Sequence, residues 1–362
     1  MQKMKKPIDY GVLACDTMMR TYRAEELPPV GRFHYHQGVF LSGMYQIYQL
    51  VKDEKYLTYI KEWVDSIIDE GGNINTFHPG QLDDMQSGIL LYPLLERTGD
   101  PRYQKAIDTL LPLIYDFPKT DEGGFWHMQD LPNQMWLDGL YMGGPICAEY
   151  GKRYGRPEYI DLTAQQVKLM FQHTTDQKSG LMYHAWDASK EALWADKETG
   201  CSAEFWGRSI GWVGIAVLDD LDFIDENHPE YKNMCENVKS LLLTVCNYQS
   251  EDGTWYQVVD KAGEEGNWPE MSCTCLFTAA IAKAVEKGIL EKEYFDFAEK
   301  GFQGAVNMLS YQDGDIQIGN VCIGTGVGDY KHYCKRPVVV NDLHGVGAFL
   351  IMCAQMQKNR HI

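Results

Sequence analysis

The sequence predicts an all-α fold, an (α/α)6 toroid with short β-hairpin-like segments on one rim, and three observations predict it. Helix-length stretches of two kinds alternate along the chain, one with charged faces and one rich in Gly, Ala, Met and Leu. Several of the charged stretches open with related phrases, Lys55-Tyr56, Pro101-Arg102-Tyr103, Pro157-Glu158-Tyr159 and Pro229-Glu230-Tyr231. No Pro/Ser/Gly-rich linker or composition break interrupts the 362 residues, so residues 1–362 read as one domain built by repetition.

The charged stretches lie near 9–22, 54–70, 101–116, 157–172, 230–248 and 293–309, with apolar residues at helical spacing beside Lys, Asp or Glu. They are expected to face solvent on one side. Pro in a first helical turn presets φ and lacks an N–H that has no partner there, so the repeated phrase is also a helix start. The second kind lies near 37–51, 83–97, 134–151, 205–224, 272–287 and 343–357, where Gly43, Gly88, Gly143, Gly214, Ala279 and Gly347 permit close packing. These are expected inside. The repeat is a helical hairpin of about fifty to seventy residues. Six outer and six inner helices make a ring in which the inner helices run one way. An open solenoid of the same hairpins is the alternative, and a last inner helix able to meet the first favours closure.

Short segments follow some outer helices: Gly123-Gly124-Phe125-Trp126-His127, Gly180-Leu181-Met182-Tyr183-His184 and Asp252-Gly253-Thr254-Trp255-Tyr256. Each is a turn residue followed by strand-compatible alternation leading into an inner helix. They are expected to project His127, His184 and Tyr256 over one rim.

A formal charge of -18 with no long Lys/Arg block disfavours nucleic acid and anionic membrane as partners. No apolar run is long enough for a membrane span. The basic start Met1 to Lys6 is interrupted by Pro7-Ile8-Asp9-Tyr10, and Leu13-Ala14-Cys15 lacks the hydrophobic segment that a lipoprotein signal requires. The ten cysteines include no C-x-x-C pair, and Cys147, Cys246 and Cys353 sit in apolar helical surroundings. Reduced thiols and a cytoplasmic setting follow as the expectation.

The third inner element opens Gln134-Met135-Trp136-Leu137-Asp138-Gly139-Leu140-Tyr141-Met142. A carboxyl among aromatic residues at a helix start is a group whose pKa burial raises for proton donation. Asp also caps helices, but Gln134-Met135-Trp136 reads as helix-compatible, which favours chemistry at Asp138. Asp83 and Asp84 fit capping and chemistry equally. Arg208 and Trp212 share a helix face, where a guanidinium beside indoles suits a carboxylate or a flat sugar ring. Pairing of Arg208 with Glu204 or another acid is the plainer alternative. His127 and His184 also fit an ordinary polar core. His34-Tyr35-His36 offers two imidazoles, but the sequence nominates no third or fourth ligand, so no metal and no cofactor are expected. Gly324-Thr325-Gly326-Val327-Gly328 lacks the G-K-[ST] ending of a phosphate loop, and Gly319 to Asp329 reads as a connection at the rim.

Six phrases together carry a family resemblance. They are Leu82-Asp83-Asp84-Met85, Gly123 to His127, Gln134 to Met142, Gly180 to His184, Phe205-Trp206-Gly207-Arg208 with Gly211-Trp212, and Arg336-Pro337 followed by Asp342-Leu343-His344-Gly345. In this order they make the chain resemble the unsaturated rhamnogalacturonyl hydrolases of glycoside hydrolase family 105 over nearly its whole length. The resemblance implies Asp138 as general acid/base, with Asp83 rather than Asp84 assisting. It implies that His36, His127, Trp136, His184, Arg208 and Trp212 line the sugar pocket, and that no metal or organic cofactor takes part.

The implied substrate is a 4,5-unsaturated galacturonyl unit at the non-reducing end of a rhamnogalacturonan fragment. Its enol ether is protonated at C4, water adds at C5, and the hemiketal opens to release the neighbouring sugar. Ordinary glycoside hydrolysis instead works at the anomeric carbon. An unsaturated glucuronyl hydrolase of glycosaminoglycan fragments is the nearest alternative. A sugar epimerase, which would need paired His bases, and a non-catalytic carbohydrate-binding scaffold are others.

Overall fold

The structure, a computed structural model, describes residues 6–361. In chain order the helices are α1 (Pro7–Thr21), α2 (Tyr35–Val51), α3 (Glu54–Ile67), α4 (Leu91–Thr98), α5 (Pro101–Tyr115), α6 (Asp138–Tyr154), α7 (Pro157–Thr174), α8 (Gly207–Asp220), α9 (Tyr231–Asn247), α10 (Met271–Glu286), α11 (Phe295–Asn307), α12 (Tyr330–Cys334) and α13 (Leu343–Lys358). Three two-stranded antiparallel ribbons accompany them: β1 (Gln134–Trp136) with β2 (Ala185–Asp187), β3 (Leu309–Gln312) with β4 (Asp315–Ile318), and β5 (Val321–Cys322) with β6 (Val338–Val339).

The helices form the closed ring. The inner wall runs α2, the 82–98 segment, α6, α8, α10 and α13, and α13 packs back against α2. The outer layer is α1, α3, α5, α7, α9 and α11, each against inner neighbours. Closure brings two backbones into contact. A Cβ on Gly347 would lie 2.5 Å from the Val39 carbonyl oxygen, and one on Gly43 would lie 2.8 Å from the Gly347 carbonyl oxygen. Only glycine fits at this seam, which separates a ring from an open solenoid.

Outer helices start as their sequences direct. Pro101 and Pro157 occupy the first helical turns, and Asp53 and Asp100 accept backbone N–H groups at their caps. Pro229 lies just before α9, which Glu230 precedes as N-cap.

Two inner elements differ from expectation. The 83–97 stretch is not one helix: Leu82–Asp84 and Gln86–Leu90 are 3-10 turns, and α-helix begins only at Leu91. Pro93 has no N–H to donate back to residue 89, so it is compatible with a helix that starts nearby and not with one already under way. The 134–151 stretch starts as strand, because Gln134, Met135 and Trp136 pair with Asp187, Trp186 and Ala185. Asp138 is therefore the first residue of α6 and not a residue inside it.

All ten cysteines are free thiols, most of them buried. Among the described residues no helix is long and apolar enough to cross a membrane.

Candidate active site

The inner helices begin at one end of the ring. His36 of α2, Arg208 of α8, Glu270 before α10, and Asp342 and His344 at the start of α13 are linked there through direct or shared contacts, and Asp138 opens α6 within the field of Arg208. Each α-helix directs the positive end of its dipole at this rim, which favours an anion despite the acidic surface.

Backbone ladders assemble the wall between the 82–98 segment and α8. His127 donates its N–H to the Gln134 carbonyl, Leu82 donates to the His127 carbonyl, Leu137 to that of His184, and His184 to that of Glu204. Five distant stretches of chain are thereby stitched side by side. Trp136 lies face to face with His127 at 4.4 Å and 12°, and edge-on to His184 at 5.6 Å and 64°.

On this wall sit two carboxyls, Asp83 and Asp138, whose side chains are 15% and 13% exposed and so still within reach of solvent. Asp83 Oδ1 is 3.5 Å from His127 Nε2, and Asp138 Oδ2 is 3.2 Å from His184 Nε2. Asp84 points elsewhere: it accepts the His78 N–H at 3.1 Å and approaches Arg32 at 3.4 Å. The Leu82-Asp83-Asp84 phrase is thus divided, one acid at the rim and one holding a loop.

The two rim carboxyls have opposite proton affinities. Burial and the neighbouring Asp138 and Asp84 charges push Asp83 up to about 8. Burial also acts to raise Asp138, but the His184 hydrogen bond and the His184, His127 and Arg208 charges outweigh it and hold Asp138 below the ordinary carboxylate range. The sequence expectation that burial raises Asp138 is corrected here. The expected raised acid is its neighbour.

His184 is fully buried and relays a longer chain. Gly328 donates its N–H to the Tyr333 hydroxyl at 3.2 Å, and that hydroxyl lies 2.6 Å from His184 Nδ1. With Tyr333 donating to Nδ1, the imidazole carries its proton on Nε2 and offers it to Asp138. Tyr333 was not singled out from sequence, because a tyrosine in a short helix 149 residues from its partner leaves no local pattern.

Arg208 is 2% exposed. It donates to the carbonyls of Cys322 and Ile323 at 2.6 and 2.8 Å and stacks 4.5 Å from the Trp206 ring centroid. Its nearest acid is Glu270 at 3.9 Å, while Glu204 pairs with Lys261. The guanidinium braces β5 and contributes positive potential from behind the rim. Trp212, one turn deeper on α8, is 1% exposed and stacks on Tyr141 at 4.5 Å. The i,i+4 spacing sets Trp212 one turn further along the inner helix than Arg208, on the same face. Tyr256 pairs through its backbone with Pro269, and the ring contacts at the carboxyl pair come from His127, His184 and Trp136.

The glycine-rich segment Gly319 to Asp329 closes over the rim as a connection. A Cβ on Gly324 would stand 3.3 Å from the Tyr35 hydroxyl, and one on Gly326 3.6 Å from the Trp136 ring. His36 lies across from the carboxyl pair with Asp342 and His344, so the partners that sequence did not nominate for it come from the last inner helix. A cavity of about 510 Å³ opens among the C-terminal halves of the inner helices, lined by Gln46, Tyr141, Glu149, Arg153, Asp219 and Lys283 among others. Its lining reaches Gln86 and Tyr141, each three residues from a rim carboxyl, but includes neither Asp83 nor Asp138.

The model of Glycosyl Hydrolase Family 88 matches residues 11–360. A solved Clostridium acetobutylicum glycoside hydrolase from family 105 superposes with a TM-score of 0.92 at 30% identity, covering 96% of this chain and 99% of its own. This chain belongs to the family 88 and 105 glycoside hydrolases. The unsaturated rhamnogalacturonyl hydrolase YesR of Bacillus subtilis is 25% identical over 296 residues, covering 80% of this chain and 79% of its own. An unsaturated 3S-rhamnoglycuronyl hydrolase from an Alteromonas species is 25% identical over 338 residues, covering 88% of this chain and 76% of its own. The unsaturated glucuronyl hydrolase of Bacillus sp. GL1 shares the fold, with a TM-score of 0.74 at 14% identity over 99% of this chain and 97% of its own. Membership makes this glycoside hydrolase an enzyme of unsaturated uronyl oligosaccharides, built on the six-hairpin ring.

Proposed function

We propose that this glycoside hydrolase removes a 4,5-unsaturated galacturonyl unit from the non-reducing end of rhamnogalacturonan fragments by hydrating its C4=C5 bond. The observation that carries the proposal is the Asp83 and Asp138 pair, of unlike proton affinity, on a wall of Trp136, His127 and His184. Below about pH 8 the pair holds a proton on Asp83, beside an Asp138 that is ionised and oriented.

Hydration needs a proton at C4 and a base for the water that attacks C5. Bound uronate adds a negative charge beside the pair and excludes water, and both effects raise Asp138 toward protonation. Asp138 then delivers the proton, becomes carboxylate, and takes a proton from the incoming water. Asp83 supplies the proton and stabilises its neighbour. Trp136 offers a flat face for the unsaturated ring, His127 and His36 offer polar contacts, His184 holds Asp138 in place, and the convergent helix N-termini favour the sugar carboxylate. Arg208 and Trp212 act from behind, positioning the rim.

The about-8 value of Asp83 favours a second assignment of the same reaction, in which Asp83 donates to C4 and Asp138 serves as base for water. Neither assignment places a histidine in the role of proton donor, which separates both from an epimerase. The relation to YesR supports the galacturonyl substrate, and the free, buried thiols support a cytoplasmic enzyme of pectin breakdown.

The test is incubation with unsaturated rhamnogalacturonan and glycosaminoglycan disaccharides, following the ultraviolet absorbance of the conjugated C4=C5 bond. Loss of absorbance with rhamnose release is the expected outcome. Turnover of glycosaminoglycan disaccharides alone assigns the glucuronyl substrate instead, and persistence of both absorbances overturns the proposal.

A further inference from the structure

His36 and His344 hold equivalent places on two neighbouring inner helices. Each is the second helical residue, after the N-caps His34 and Asp342 respectively, and α2 and α13 are packed backbone to backbone. The two rings meet edge to face at 5.1 Å and 71°. Asp342 completes a group in which one ligand atom from each residue lies within 4.8 Å of the others.

The hydrogen bonds around this group fix where its lone pairs point. His344 Nε2 is 3.0 Å from the Cys322 carbonyl, which only accepts, so the proton of that contact is on Nε2. A neutral His344 therefore presents a bare lone pair at Nδ1. That atom is fully buried, has no hydrogen-bond partner of acceptable geometry, and stands 2.7 Å from Asp342 Oδ1. On the other side, His34 Nδ1 accepts the His36 backbone N–H at 3.5 Å and faces His36 Nδ1 at 3.0 Å. His36 thus donates from Nδ1 and presents its own lone pair at Nε2, 3.7 Å from the same Asp342 oxygen. With His344 neutral, two nitrogen lone pairs and a carboxylate oxygen converge on one point.

We propose that His36 Nε2, His344 Nδ1 and Asp342 form a binding site for a divalent cation of the zinc class, distinct from the Asp83 and Asp138 pair. Tetrahedral bonds of about 2.0–2.1 Å place neighbouring ligand atoms about 3.3 Å apart. The observed 2.7 and 3.7 Å bracket that spacing, so side-chain adjustments of less than an ångström bring the three into place. The other ring nitrogens are oriented as metal-bound imidazoles require, His344 on a backbone carbonyl and His36 on another imidazole. The positive ends of α2 and α13 oppose a cation, and the Asp342 charge seated at those ends offsets them. His36 and Asp342 are each 21% exposed, which leaves a way in from the rim and a fourth position for water or a ligand oxygen.

Cobalt(II) is the probe, added to the full-length protein after dialysis against a chelator. One equivalent per chain is expected, with visible d–d absorption of a four-coordinate nitrogen/oxygen site, displaced by Zn2+. His36→Gln is expected to weaken binding by more than about 100-fold, beyond the 10–100-fold cost of losing an outer partner. Asp342→Asn keeps a capping side chain on α13 while removing the charge, and is expected to do the same. Circular dichroism of both variants reports folding. The proposal is overturned if folded wild-type protein takes up no Co2+ or Zn2+, or if both variants bind as wild type does, which puts the ion elsewhere. It is equally overturned if nitrogen NMR shows His344 protonated on both nitrogens at neutral pH, because an imidazolium and carboxylate pair then accounts for the 2.7 Å contact. None of these readouts depends on the sugar substrate.

Discussion

The Tyr333 hydroxyl lies 2.6 Å from Nδ1 of His184 and, by donating there, keeps the imidazole proton on Nε2, the nitrogen that faces Asp138. Tyr333→Phe removes the hydroxyl and leaves both tautomers available, so Asp138 loses its donor part of the time and its pKa rises. Turnover is expected to fall roughly tenfold with the acidic limb of the pH–kcat profile moved upward. A profile of unchanged shape, with only lower protein yield, assigns Tyr333 to packing.

Asp138→Asn keeps the shape and the His184 contact but holds no exchangeable acid proton. A loss of roughly 10²–10⁴-fold in kcat is expected, with substrate still bound. Single-turnover absorbance measurements and titration of the inactive variant with disaccharide separate the two quantities.

Asp83 makes stability and activity oppose one another. In the unfolded chain it ionises in the ordinary carboxylate range, whereas in the folded chain it keeps its proton to about 8. The folded state therefore binds more protons between those values, and its stability falls as pH rises through that window. Asp83→Asn removes the dependence. The variant is expected to be inactive or nearly so, yet to melt higher than wild type by roughly 1–4 °C at pH 8, with the gap closing toward pH 4. Melting curves at several pH values measure it, and wild-type activity is expected to decline as pH passes about 8.

The seam between α2 and α13 admits no side chain at Gly347, where a Cβ meets the Val39 carbonyl oxygen at 2.5 Å. Gly347→Ala is expected to destabilise the protein by roughly 1–3 kcal/mol, because backbone and not a flexible side chain must move. Urea titration reads the change. Gly99→Ala, at a helix end with open space but φ of 68°, is the contrasting case in which only backbone strain is introduced.

Arg208→Lys retains a charge but loses the fork that spans two carbonyls and the stacking on Trp206. β5 and the segment after it are expected to loosen, raising KM more than it lowers kcat. A pure kcat effect argues instead for contact with the reacting sugar.

The ring was legible because its physics is repetitive. Small residues at Gly43 and Gly347 and charged faces on the outer helices each imply a layer without reference to the rest of the chain. Asp138 stood out by its aromatic surroundings, whereas the pattern left Asp83 and Asp84 even and only the family resemblance favoured Asp83. What escaped was non-local. The β1 strand reads as helix because three residues are too few to carry a period, and its partner β2 lies about fifty residues on. The proton inventory also escaped, since Asp83 is raised by burial and by acids brought beside it, while Asp138 is held down by a hydrogen bond from His184, distant in the sequence. His36 gave no hint of Asp342 and His344, which reach it only once the ring shuts.

That closure has a consequence for synthesis. The helix that completes the wall leaves the ribosome after every other helix of the ring, roughly three hundred residues after the one it must grip. Until then the earlier inner helices present an apolar flank with nothing to cover it, and such a flank invites chaperones or neighbouring nascent chains. The same delay applies to His36, which waits for Asp342 and His344 until α13 has been made, so neither a cation nor a sugar can meet a complete rim before then.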